Sequence, residues 1–177
     1  MLNVKRELMV ARSTEEVWEF VKNMGSWAAQ MPGYVSHEEI SGDDSVWTLQ
    51  LNLGTFSRPI VMDVHVIQWT PPTQVTFELK GRFDPFRGSG AFCASPQGEQ
   101  TAISLQFEAE GTGSMGKVVS AMADPVLKYV ADEFSANLAK TLEGAVTAKP
   151  RTPAQSRVTR FLRDVMRKVL AALRWAR

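Results

Sequence analysis

A switch of hydrophobic period limits most tightly what this chain can fold into. From Tyr34 to about Glu110 apolar residues recur at every second position, and after Gly113 they recur at helical spacing. Trp47, Leu49, Leu51 and Leu53 alternate with Thr48, Gln50 and Asn52. Ile60, Met62, Val64 and Val66 alternate with Asp63 and His65. Val75, Phe77 and Leu79 alternate with Thr76, Glu78 and Lys80, and Ile103, Leu105 and Phe107 with Ser104, Gln106 and Glu108. Gly42-Asp43-Asp44, Pro71-Pro72, Asp84-Pro85 and Pro96-Gln97-Gly98 punctuate these runs as turns. The pattern predicts an antiparallel meander of about six strands, with one apolar and one wet face.

The flanks supply the helices. A short strand is expected over Asn3–Ala11, then a helix whose start carries the capping-box spacing Ser13-Thr14-Glu15-Glu16. A second short helix is placed at Ser26–Met31, stopped by Pro32-Gly33. After Gly113 the stripe Met115, Val119, Met122, Val126 continues with drift through Val130, Phe134 and Leu138. At Asp124-Pro125 either the helix kinks, or Asp124 caps a second helix with Pro125 in its first turn. The fold class is therefore α+β: a curved antiparallel sheet wrapped around one long helix. A single helix cannot fill such a concavity, so a cavity lined by Met, Trp, Phe and Leu is expected, suited to a hydrophobic ligand. The residues assigned to it are Trp27, Met31, Leu51, Leu53, Met62, Phe77, Met115, Val119, Met122 and Val126, all apolar and on predicted inward faces.

Composition narrows the function. In 177 residues, 44% hydrophobic and 22% charged, the balance is that of an ordinary globular domain. No apolar run reaches about 18 residues, so no helix is expected to span a bilayer. The first residues lead into no apolar segment of the signal-peptide kind, and an intracellular protein is expected. One cysteine and two histidines leave little for a metal cluster or a nucleophilic triad, so no catalytic and no metal-binding residue is assigned. Charge is strongly polarised. From residue 147 onward nine basic residues face one acidic residue, net +8, whereas residues 1–146 hold 11 basic and 18 acidic, net −7. Such asymmetry points to an anionic partner for the tail.

Order and spacing of several short motifs carry a resemblance. They are Ala11-Arg12-Ser13-Thr14-Glu15-Glu16-Val17-Trp18, Met31-Pro32-Gly33, Leu51-Asn52-Leu53-Gly54, Lys80-Gly81, Gly88-Ser89-Gly90-Ala91 and Glu110-Gly111-Thr112-Gly113-Ser114-Met115-Gly116-Lys117. Across residues 2–146 the chain resembles the helix-grip superfamily of START-like lipid-transfer domains, pollen-allergen-like proteins and polyketide cyclases. Within it, the motifs are similar to the CoxG family of carbon monoxide dehydrogenase accessory proteins. That resemblance implies an accessory protein that recruits a carbon monoxide dehydrogenase-like molybdenum hydroxylase to the membrane. It also implies a quinone such as menaquinone as the hydrophobic ligand. The sequence departs from many relatives at Gln30, where they carry Cys.

Three segments result: a ligand-binding domain over 1–146, a Pro-containing linker over 147–155 and a basic amphipathic helix over 156–177. Wound as a helix, the last segment gathers Phe161, Leu162, Val165, Val169 and Leu173 on one face. Arg160, Arg163 and Arg167 stand opposite, Arg157 and Lys168 at a border, and Trp175 near the boundary. These eleven residues are assigned to an anionic membrane surface, which places the protein peripherally on the cytoplasmic face of the cell membrane. Seven cationic residues over a length of roughly 33 Å exclude a spanning helix. A partner protein or packing on its own domain are the rivals. Nucleic acid is disfavoured, because the acidic body repels phosphate and no basic–aromatic interleaving occurs.

The remaining candidates divide by strand phase. Arg58, Asp63 and His65 are the residues on which a cyclase- or aromatase-like enzyme would depend, yet the alternation turns Asp63 and His65 away from the apolar face unless a bulge slips the register. His37 reads as surface and Cys93 as a small buried hydrophobe. Met31, Met62, Met115 and Met122 suit either plain core or a cavity for a flexible isoprenoid. A lipid-transfer protein on the same fold, and a membrane adaptor that holds no ligand, stay open beside the carrier.

Overall fold

The computed structural model describes residues 2–53, 56–114 and 116–144, with residues 53, 56, 58, 118, 119 and 121–123 described by their backbone alone. The expected linker, the tail helix, Met115 and the side chains of Leu53, Val119 and Met122 lie outside the described residues.

The order is β1 (Leu2–Val10), α1 (Thr14–Val21), α2 (Met24–Ala28), then β2 (Tyr34–Glu39), β3 (Asp44–Leu53), β4 (Phe56–Thr70), β5 (Gln74–Gly81), β6 (Phe86–Gln97), β7 (Gln100–Gly111) and α3 (Gly116–Glu143). The strands form one antiparallel sheet in the order β1-β7-β6-β5-β4-β3-β2. Six strands follow the short helices, as the alternation requires, and β1 returns to pair with β7 from Leu2↔Ala109 to Val10↔Thr101. The inner face carries Val4 and Val10, Trp47 and Leu49, Met62, Val64 and Val66, Val75 and Phe77, Phe92, and Ile103, Leu105 and Phe107, all buried.

Helix α1 begins as its sequence demands. The Ser13 hydroxyl accepts from the Glu16 N–H at 3.2 Å, while the Glu16 carboxylate accepts from the Ser13 N–H at 2.9 Å. Helix α2 starts two residues before its expected position, because Asn23 rather than Ser26 caps it: the Asn23 side-chain oxygen accepts from the Ser26 N–H at 3.0 Å. It also sits close against β2. A Cβ on Gly25 would fall 2.4 Å from His37 Nε2, so any other residue there displaces the imidazole. That contact half-buries His37, whose Nδ1 lies 2.8 Å from the Tyr34 hydroxyl, and corrects its reading as a surface residue.

Helix α3 runs unbroken through Pro125 for 28 residues. Asp124 is therefore no helix cap; it pairs with Lys128 at 2.8 Å, one turn on. The helix lies along β7 and β1. Phe134 meets Phe107 edge-on at 5.7 Å, and Arg6 on β1 reaches Asp132 at 2.5 Å. Gln30, which follows α2, locks onto α3 through two bonds. Asn137 donates to its carbonyl at 3.0 Å and Thr141 to its side-chain oxygen at 2.9 Å.

Candidate functional site

Burial along the inner face is graded, and the gradient locates the site. Turns 71–73 and 98–99 and helix α1 close one end of the molecule, where Ile103, Val75 and Val10 are sealed. At the other end come the end of β3, the start of β4, the loop 82–85 and the end of β7. There the inward positions Ile60, Leu79, Phe86, Ala109 and Gly111 are only half-covered. Helix α3 shows the same change. Ala131, Phe134, Leu138 and Leu142 are buried, whereas Val126, Leu127 and Val130 nearer its start are half-exposed. Apolar surface on the concave face of a sheet that the described residues cover only in part is what a hydrophobic ligand covers.

The strand register explains the space. Gly88 and Gly90 on β6 pair with Leu79 and Phe77 on β5 and with Ala109 and Phe107 on β7, so both glycines stand on the inner face. A Cβ on Gly90 would lie 2.3 Å from the Phe77 ring, and one on Gly88 would lie 2.4 Å from the Glu108 carbonyl oxygen. Two missing side chains in succession take volume out of the middle of the sheet and let the Phe77 ring lie across β6. At the rim of the half-covered end stands Phe83, 79% exposed.

The six residues assigned from sequence whose side chains are described fall into two groups. Trp27, Met62 and Phe77 are buried together in the main core, with Met31 half-buried against it. Trp27 lies edge-on to Trp47 at 5.2 Å and tilted against Phe77 at 5.2 Å. Leu51 and Val126 form a separate small cluster, where the β3–β4 hairpin meets the start of α3, and Ile60 packs against both groups. Ile60, Leu79, Phe86 and Leu127 join the site without being among the residues assigned from sequence. The alternation signals Ile60 and Leu79, but their partial exposure depends on register and on where α3 lies.

The enzyme-type residues do not converge. The β3–β4 ladder runs without a slip, pairing Asp63 with Val46 and His65 with Asp44, and the bulge in the β4–β5 ladder falls beyond them at Val66–Gln68. Asp63 pairs with Arg82 at 2.7 Å and His65 Nδ1 with Asp44 at 2.8 Å, all four side chains about half-exposed. Bonds from Ser41, then from His65, hold the Asp44 carboxyl below its ordinary range. Arg58 pairs in register with Leu51, away from both. Cys93 is exposed on the outer face, because Phe92 and Ala94 take the inward phase; this corrects its reading as a buried hydrophobe. The buried hydroxyls that β3 and β7 turn to the inner side are engaged elsewhere: Thr101 donates to the Arg12 carbonyl at 2.8 Å and Ser45 to the Glu38 carbonyl at 3.0 Å. Tyr129, half-buried on α3, has its phenol pushed above the usual range by burial, with Glu133 adding to the effect. A cleft of about 200 Å³ between Ser13, Thr73 and Gln100 lies at the sealed end, apart from the inner face.

Comparison with known proteins agrees with this architecture. The profile of the family described as polyketide cyclase / dehydrase and lipid transport matches residues 1–143. No curated protein sequence matches the chain. Among solved structures, a conserved protein from Geobacillus kaustophilus superposes with a TM-score of 0.66 at 20% identity, over 80% of this chain and 95% of that one. A START superfamily protein from Mycobacterium smegmatis gives 0.58 at 20% identity over 81% and 96%. The ZhuI aromatase/cyclase from Streptomyces sp. R1128 gives 0.59 at 16% identity over 83% and 96%. At these identities the likeness is one of fold.

Proposed function

The chain belongs to the polyketide cyclase/dehydrase and lipid transport family, and we propose that within it the protein is a non-catalytic carrier of a hydrophobic ligand. The observation that carries this reading is the graded inner face, sealed at one end and lined at the other by half-covered apolar residues and two inward glycines. Its action is desolvation. The ligand leaves water or lipid for an apolar enclosure, with no bond made or broken. The family also holds cyclases, which need acid–base groups around the substrate. Asp63 and His65 stand on the outer face and favour the carrier.

The finer reading follows from the sequence resemblance to the CoxG family. The ligand is a quinone such as menaquinone. The acidic body docks a carbon monoxide dehydrogenase-like molybdenum hydroxylase, and the basic segment 156–177 holds the protein on the cytoplasmic face of an anionic membrane. Val126 tests the carrier directly. Full-length protein titrated with a short-tailed menaquinone, followed by tryptophan quenching, saturates near one equivalent. Val126→Arg, which puts a charge into the half-covered end, weakens that binding at least tenfold while the thermal transition stays cooperative. Unchanged binding by a folded Val126→Arg protein overturns the assignment.

A further inference from the structure

Trp27 carries a polar group that the fold itself leaves unused. Its side chain is deep in the core, 6% exposed, yet its indole N–H meets no acceptor. The other indoles with described partners behave ordinarily: Trp47 Nε1 donates to the Ser45 hydroxyl at 3.1 Å and Trp69 Nε1 to Asp43 at 2.7 Å. Buried donors are almost always paired, because leaving one unmade forfeits its bond to water with nothing in return. The ring neighbours Trp47 and Phe77 offer Trp27 only aromatic faces, a much weaker acceptor than oxygen. Trp27 is also linked to the half-covered inward positions through Phe77. It touches Phe77, and the next inward position on β5, Leu79, is already half-exposed opposite Gly88.

We propose that the Trp27 indole N–H is the hydrogen-bond donor to the bound molecule, so that the inner space selects apolar molecules bearing a carbonyl oxygen over plain hydrocarbons. An indole N–H donates and cannot accept, and a carbonyl accepts and asks for no donor in return. Among the described residues it is the one fully buried side-chain polar atom without a partner, which suits a single carbonyl on an otherwise apolar skeleton. This deepens the carrier reading and rests on it.

The test uses two probes of the same shape, menadione and 2-methylnaphthalene, which share the fused rings and the methyl group but differ in the two carbonyls. Calorimetric titration of the full-length protein gives a menadione Kd about tenfold below that of 2-methylnaphthalene. Trp27→Phe weakens menadione by about that factor and changes 2-methylnaphthalene less than twofold. In wild-type protein the infrared carbonyl band of bound menadione splits, one component moving to lower wavenumber relative to its position in hexane. Equal wild-type affinities, or equal weakening of both probes, overturn the donor role and leave the carrier intact. An unsplit, unshifted band does the same even where Trp27→Phe fails to fold. If neither probe binds, the carrier reading falls and this inference falls with it.

Discussion

Ser13 and Glu16 show how much a pair of side chains settles locally. Each satisfies a backbone N–H that the first turn of α1 would otherwise leave to water. Ser13→Ala removes one half of the box and lowers stability by about 1 kcal/mol, read as a fall of about 2–4 °C in the thermal midpoint. The Glu16 carboxyl is held below its ordinary range, first by the Ser13 N–H and then by Arg12. A carboxylate with a depressed folded pKa contributes stability above its unfolded value, here near 4.5, and loses it as pH falls through the folded one. The gap in midpoint between wild type and Glu16→Gln is therefore present at pH 7 and closes in acid melts as pH falls below 4.5 and through the lowered folded value. Gln30 works over a longer range, fastening the end of α2 to α3 through Asn137 and Thr141.

Elements record what alternation can and cannot reveal. The phase of β3, β4, β5 and β7 is legible because each carries bulky apolar residues at every second position. The same alternation places Asp63 and His65 outward. Strand β6 is harder to read, since Gly88 and Gly90 carry no apolar signal and Ala91-Phe92-Cys93-Ala94 has one large residue to set its phase; Cys93 reads as inward for that reason and stands outward. Helix α2 starts two residues early because Asn23 and Ser26 are both competent caps, and the close approach of β2 at Gly25 is a tertiary fact. In α3 the buried stripe runs Ala131, Phe134, Leu138, Leu142, so the drift beyond Val126 marks where the helix leaves the half-covered end for the sealed one. At β6 a direct check is available. Gly90→Ala forces the Phe77 ring from its place, destabilising the protein by about 1–3 kcal/mol in denaturant melts, whereas Gly98→Ala meets no atom within 4 Å and is strained only through its positive φ.

For the whole molecule, charge is opposed between a net −7 body and a net +8 segment, and the proposed scheme assigns the ligand to the first and an anionic membrane to the second. Full-length protein is expected to co-sediment with anionic vesicles at low salt and to release as ionic strength rises. Combined Arg160→Glu, Arg163→Glu and Arg167→Glu substitution is expected to cut that binding at least tenfold and leave the thermal midpoint within a degree. Binding that survives these three changes removes the membrane role. Closure at one end of the sheet is implied by the strand order, but the half-covered opposite end arises from the placement of α3 over β7 and β1, which no local pattern encodes.

The central claim is that the inner space holds a hydrophobic ligand. Organic extraction of full-length protein purified from a host that makes menaquinone, followed by mass spectrometry, tests it most directly. The account predicts a carbonyl-bearing apolar molecule, menaquinone in such a host, at close to one equivalent per chain. An extract containing no apolar molecule above trace, from protein that also fails to take up added menaquinone, contradicts it.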